Sequence, residues 1–251
     1  MSPAITNFFD PAMMRPYAPN YVPETEYLRL LRLNKAKEAL VRTAEMAMVQ
    51  PMDSPVTRFT RNPENEATLK QALDEAQKKA ALIEPRINEL YQTLKQGEAD
   101  RAKLTELRWQ AGYDLALARV LAIKTRTEGY NLILARAKFG LRLDDPKSNR
   151  LELRGSDEIS VGSVHQKMAK QATELLERVI RDHAGTPWAY LAAEELKQPM
   201  GWKWHERYEP DPPPRKTTPR PAAGGGGNGN RPRPIRMPNE NPKPIRQGVK
   251  L

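Results

Sequence analysis

The chain has 251 residues, 39% of them hydrophobic, with 23 prolines and 14 glycines. That is enough to bury one core of ordinary size once the Pro- and Gly-rich ends are set aside. The absence of cysteine excludes disulfides, thiolate metal sites and cysteine nucleophiles, and leaves the compartment open. Of the formal net charge of +10, nine Lys or Arg against three acids fall between Glu209 and Leu251. The body is therefore only mildly basic, and attraction to nucleic acid, anionic lipid or an acidic partner is expected of a flexible tail, not of a shaped groove.

Residues 1–23 predict an irregular leader, because Pro3, Pro11, Pro16, Pro19 and Pro23 each fix φ and remove a backbone donor. With no early Lys or Arg followed by a long apolar run, the same stretch offers neither a signal peptide nor a spanning helix. A first helix is predicted from Glu24 to about Val49, with apolar positions at Leu33, Ala36, Leu40, Ala44 and Ala47, ended by Pro51 and Pro55. Asn62 and Pro63 read as cap and first turn of a second helix running to Gln96, with Gly97 as its terminus. It carries Leu69, Leu73, Ala76, Ala80, Ile83, Ile87, Leu90 and Leu94, alternately four and three apart, the seam of a helix that packs on other helices. Pro85 lies off that seam, so a kink with the stripe preserved is expected, not two helices. Internal packing is the expected use of the seam, because its heptads include alanines and a proline.

A third helix, from Glu98 to about Phe139, contains AGYDLALARVLAI, apolar on nearly all sides, and is the expected core spine. Between residues 141 and 162 the helical period disappears. Leu141 with Leu143, and Leu151 with Leu153, alternate on either side of DDPKSN and suggest a short β-hairpin. Helix resumes at Ser163, and Gly185, Thr186 and Pro187 form a stop and restart, with Thr186 as cap. The resulting helix-turn-helix, Ser163 to Gln198, is tetratricopeptide-like in length, and Trp202, Trp204 and Tyr208 close it as an aromatic latch, the whole spanning residues 163–208. Residues 209–251 hold eleven prolines, six glycines and no aromatic residue, and are expected to be disordered.

No reaction centre is recognisable. His165, His183 and His205 stand in no metal-ligand spacing and read as solvated helix-end or loop residues. There is no GxSxG elbow, no GxxxxGK and no GxGxxG after a strand, and the GGGGNGN run is a linker. Asp114, inside the apolar spine, is the one position where a site could be argued. The expectation is that it pairs with an Arg or a Tyr hydroxyl on a neighbouring helix and fixes packing register; Arg119 is five residues on. In the tail, RPRPIR and KPIR would attract phosphates without offering a stacking surface, and Pro210 to Arg215 matches a PxxPx+ pattern.

Three blocks in order, RWQAGYDLALARVLAIKTRTEGYN (Arg108 to Asn131), SDEISVGS (Ser156 to Ser163), and HAGTPWAYLAAEEL with PMGWKW (His183 to Trp204), resemble the helical C-terminal region of large bacterial von Willebrand factor A (VWA) domain proteins. The resemblance extends more loosely from about Tyr27 onward. It implies a helical region that normally follows an A domain, whose DxSxS loop holds a divalent ion and recognises protein ligands. That loop is absent: Asp53 is followed by Ser54 and Pro55. Metal-dependent adhesion is thus assigned to no residue of this chain.

The fold class expected from these readings is all-α. It comprises an irregular Pro-rich leader (1–23), an antiparallel bundle of long helices (24–140), a connector with a short β-hairpin (141–162), a tetratricopeptide-like pair with its Trp latch (163–208) and a disordered basic tail (209–251). The expected function is a non-catalytic protein–protein interaction or scaffolding module, with a protein partner and a VWA domain in cis. The alternative is non-specific nucleic-acid or polyanion association through the tail. No catalytic, cofactor-binding or metal-ligating residue, and no cofactor, is expected.

Overall fold

In the computed structural model, residues 9–47 and 55–210 are described. The leader is not wholly irregular: helix α1 (Pro11–Met14) is followed by a 3₁₀ turn (Arg15–Tyr17). Asp10 caps α1, its Oδ1 accepting from the Ala12 amide at 2.8 Å, and Pro11 occupies the first turn, where its missing N–H has no partner to lose.

The helix expected from Glu24 to Val49 is divided into α2 (Glu24–Arg32) and α3 (Lys35–Ala47). At the division Asn34 Oδ1 accepts from the amides of Ala36 and Lys37 at 3.0 and 3.2 Å, a cap that restarts the helix. The stop expected at Pro51 lies outside the described residues.

After strand β1 (Arg58–Thr60) comes α4 (Glu66–Ala81), capped by Asn65 and not by Asn62. The expected kink at Pro85 is instead a break, and α5 (Glu84–Gln96) begins with that proline in its first turn. A proline clashes with the carbonyl four residues earlier, here that of Ala81, which is where α4 ends. The seam nevertheless passes across the break: Leu69, Leu73 and Ala76 on α4, and Ile87 and Leu94 on α5, are buried.

A 3₁₀ segment (Glu98–Lys103) leads into α6 (Leu107–Lys138), which packs against α3, α4, α5 and both later helices, α7 (Ser163–Asp182) and α8 (Pro187–Leu196). Neighbours on every side account for its nearly continuous apolar sequence. Around its first half, Leu94, Tyr113, Leu117, Leu121, Leu176 and Val179 form one buried cluster. Around its second half, Leu73, Tyr130 and Leu134 form another with Phe59, Leu151 and Leu153. Each such side chain contributes about 1.5–3 kcal/mol through its burial.

The molecule is mostly helical, but where an all-α chain with a local hairpin was expected there is a three-stranded antiparallel sheet of order β1-β2-β3, with β2 (Arg150–Ser156) central and β3 (Gly201–Arg207) at one edge. The expected pairing of Leu141 and Leu143 with Leu151 and Leu153 is not formed. Leu151 stands opposite Phe59 and Glu206, and Leu153 opposite Trp204. Aromatic partners bury more apolar area than two leucines, and Phe59 and Trp204 meet edge to face at 5.6 Å.

Candidate functional site

Asp114 is fully buried on α6, in the first cluster's layer, and two arginines from other segments converge on it. Arg101, from the 3₁₀ segment, donates Nε to Oδ1 at 2.8 Å and Nη2 to Oδ2 at 2.7 Å. Arg178, from α7, donates Nε to Oδ2 at 2.9 Å and Nη2 to Oδ1 at 2.7 Å. Each carboxylate oxygen therefore receives two charge-assisted hydrogen bonds, and both guanidinium groups bind through two prongs. The bond to Asp114 raises the Arg101 pKa. The expected pairing of Asp114 with an arginine is thus made twice, by residues that sequence proximity did not nominate. Arg119 lies elsewhere, donating to Glu195 at 3.2 Å beside Arg126 at 2.6 Å.

A cavity of about 320 Å³ and another of about 560 Å³ open on the surface. The larger lies over this triad, lined by Glu98, Arg101, Tyr113, Gln171, Glu174 and Arg178 among others. The four hydrogen bonds occupy both oxygens of Asp114, and Glu174, 62% exposed and 3.7 Å from Lys170, is the one polar side chain of the lining without a hydrogen bond among the described residues. Burial raises the Tyr113 hydroxyl well above its ordinary pKa, and that hydroxyl already donates to the Leu94 carbonyl at 2.5 Å. Glu98 accepts from Gln171 at 3.3 Å and pairs with Lys95 at 2.5 Å.

The smaller cavity lies between the end of α6 and β3, lined by Ile133, Arg136, Ala137, Trp202 and Trp204 among others. Trp202 donates Nε1 to the Arg126 carbonyl at 2.8 Å and meets Tyr130 edge to face at 5.6 Å. The two tryptophans thus reach the long helices as members of a strand, while Tyr208 stays 53% exposed and takes no part.

The histidines depart from the expected solvated positions. His183 is buried, with Nδ1 2.9 Å from the Tyr17 hydroxyl, a bond whose direction depends on the ring tautomer, and its Nε2 has no partner among the described residues. Desolvation lowers the His183 pKa, the nearby Asp114 and Asp182 opposing that shift in part. Tyr17 also stacks on Trp188 at 5.4 Å, which pins the leader to the α7–α8 corner. His165 is half-buried, 3.1 Å from Glu128, and only His205, on β3, is exposed. The three do not converge, and among the described residues no group of three or more His, Asp or Glu could hold a metal ion.

Among the described residues no helix is long and apolar enough to cross a membrane. The tail motifs beyond Pro210, and the GGGGNGN run, lie outside the described residues. No protein-family model matches the chain, and neither a curated protein nor a solved structure matches it significantly.

Proposed function

We propose that this chain is a non-catalytic interaction module that engages a protein partner through its helix surfaces. One observation carries the reading: among the described residues the most deeply buried ionisable group, Asp114, is saturated by Arg101 and Arg178, and of the other polar side chains lining the cavity beside it only the solvent-exposed Glu174 has no hydrogen-bond partner. Such a triad fixes how the 3₁₀ segment and α7 seat on α6, which is what a scaffold needs and a reaction does not. In this reading α7 and α8 act as a tetratricopeptide-like helical pair presenting an outer face, and the VWA resemblance makes an A domain in cis the natural neighbour. A second reading, supported by the nine cations after Tyr208, is polyanion association through the tail.

The two separate by removing residues 211–251. Partner capture by the shortened chain that persists at about 50 and about 200 mM salt supports the helix-surface reading, whereas complete loss of capture overturns it in favour of the tail. Saturable turnover of a small molecule that disappears with Asp114→Asn would overturn both.

A further inference from the structure

The sheet buries one face and exposes the other. Leu151, Leu153, Trp202 and Trp204 turn toward the second cluster, so the alternate residues turn to solvent. The register sets these outward residues in rows. Arg58, Glu152 and His205 form one, Thr60, Arg150 and Arg207 the next, and Arg154 lies beside Lys203 in a third.

Five of these residues are Arg or Lys, and the carboxylates among them are shared. Glu152 lies between Arg58 at 3.0 Å and Arg154 at 2.5 Å. Glu209, just after β3, lies between Arg150 at 2.8 Å and Arg207 at 3.5 Å. One carboxylate between two guanidinium groups leaves a surplus cation in each set, and Lys203 has no ion pair among the described residues. Glu158, which lines the smaller cavity with Lys203, tempers the surplus at that end only. The side chains of Arg58, Arg207 and Arg154 are 85%, 75% and 58% exposed. With strands about 4.8 Å apart and outward residues about 7 Å apart along each, the cations cover a rigid patch of roughly 10 by 14 Å.

We propose that this outer sheet face docks the phosphate backbone of double-stranded nucleic acid without reading its bases. Four of the five cations are arginines, whose planar fork matches phosphate oxygens. The sheet's large aromatics, Phe59, Trp202 and Trp204, pack inward and leave only the small His205 ring outward, so a single strand finds no extended stacking platform, while a duplex offers a stiff surface with one charge per about 1.7 Å. Among the described residues no apolar side chain projects from this face to enter a bilayer, which sets anionic lipid second. The surface is independent of whichever protein the helices engage, and distinct from the tail.

The test is fluorescence anisotropy of the full chain with a mixed-sequence duplex across salt concentrations. Joint replacement Arg58→Gln, Arg154→Gln and Lys203→Gln removes the surplus cation of the Glu152 set and that of Lys203, and is expected to flatten the slope of log K against log salt by about two and to weaken binding at low salt about tenfold or more. Arg58→Lys with Arg154→Lys is expected to keep the slope, since the charges remain. Lys203→Gln alone, which breaks no bond in the fold, is expected to flatten it by about one. An unchanged slope in the triple variant, with binding lost only when residues 211–251 are removed, overturns the face and leaves the tail reading standing. Absence of duplex binding at about 50 mM salt overturns both. Stronger binding to phosphatidylserine vesicles than to duplex, with the same variants affected, overturns the choice of nucleic acid.

Discussion

Asp114 owes its position to its partners: a carboxylate with 1% side-chain exposure is tolerable only where cations compensate the lost hydration. Removing one member of such a set leaves the others uncompensated, typically at about 3–5 kcal/mol. Arg101 and Arg178 are 20% and 36% exposed and can turn toward water, so Asp114→Ala is expected near the lower end, about 3 kcal/mol in urea unfolding. A loss under about 0.5 kcal/mol would show the triad to be peripheral to stability. His183 gives a pH signature of defined sign. Burial lowers its folded pKa below the ordinary 6.5, so the unfolded chain binds the proton more readily. Its contribution to stability is fully present above pH 6.5 and is lost as pH falls from there through the lower folded value. Glu152, held below its ordinary 4.5 by Arg154 and Arg58, adds dependence only in more acidic solution, so the two windows separate. His183→Asn, whose amide can bond the Tyr17 hydroxyl in either direction, is expected to flatten the upper window; an unchanged profile from pH 7 to 5 would remove His183 as its source.

At the scale of elements, close packing at Gly97 gives a sharper test than helix propensity. Its φ is −84°, so no left-handed turn requires glycine there. A Cβ would instead lie 2.7 Å from Ala36 Cα and 2.9 Å from the Lys35 carbonyl oxygen, in the backbone of α3. Gly97→Ala must therefore push two segments apart and is expected to destabilise by about 3 kcal/mol. Gly129, inside α6, is the control: its added Cβ would meet side chains at 3.7 and 3.8 Å, ordinary contact, and Ala there is expected to stabilise by about 0.5–1 kcal/mol. Thermal unfolding of both variants checks the pair, and a neutral Gly97→Ala would refute the close approach. The seam and the spine are legible in the sequence because periodicity records which face of a helix is covered, as Leu73, Leu94, Leu121 and Leu134 show. What covers that face is not recorded. The three-residue β1 has no period to detect, and no local rule joins Phe59 to Leu151 or Trp204 to Leu153. The same limit hid Arg101 and Arg178: an acid in an apolar run announces a need for cations, but their identity depends on how the helices fold back.

For the described body, stability depends on segments that meet only after the helices have assembled. β1 precedes α4, β2 lies between α6 and α7, and β3 follows α8, yet together they cover the second half of α6. β3 is the last to be reached along the chain, pairs with β2 over seven residue positions and brings Trp202 and Trp204 onto Tyr130 and Phe59. Ending the chain after Met200 would remove both tryptophans and uncover Leu151, Leu153 and Tyr130. At about 2 kcal/mol per large side chain this exceeds about 5 kcal/mol, comparable with the 5–15 kcal/mol that holds an ordinary domain together. A chain ending after Pro210 keeps the whole sheet, including the Glu209 amide bonded to Asn149 at 2.9 Å, and is expected to melt with the midpoint and cooperativity of the full chain. The shorter chain is expected to lose its cooperative transition and the hydrogen-exchange protection of the Leu153 amide, which donates to the Thr57 carbonyl at 2.7 Å. A sharp transition near the parent midpoint in the shorter chain would mean that the helices alone carry the fold, with the sheet a mere appendage.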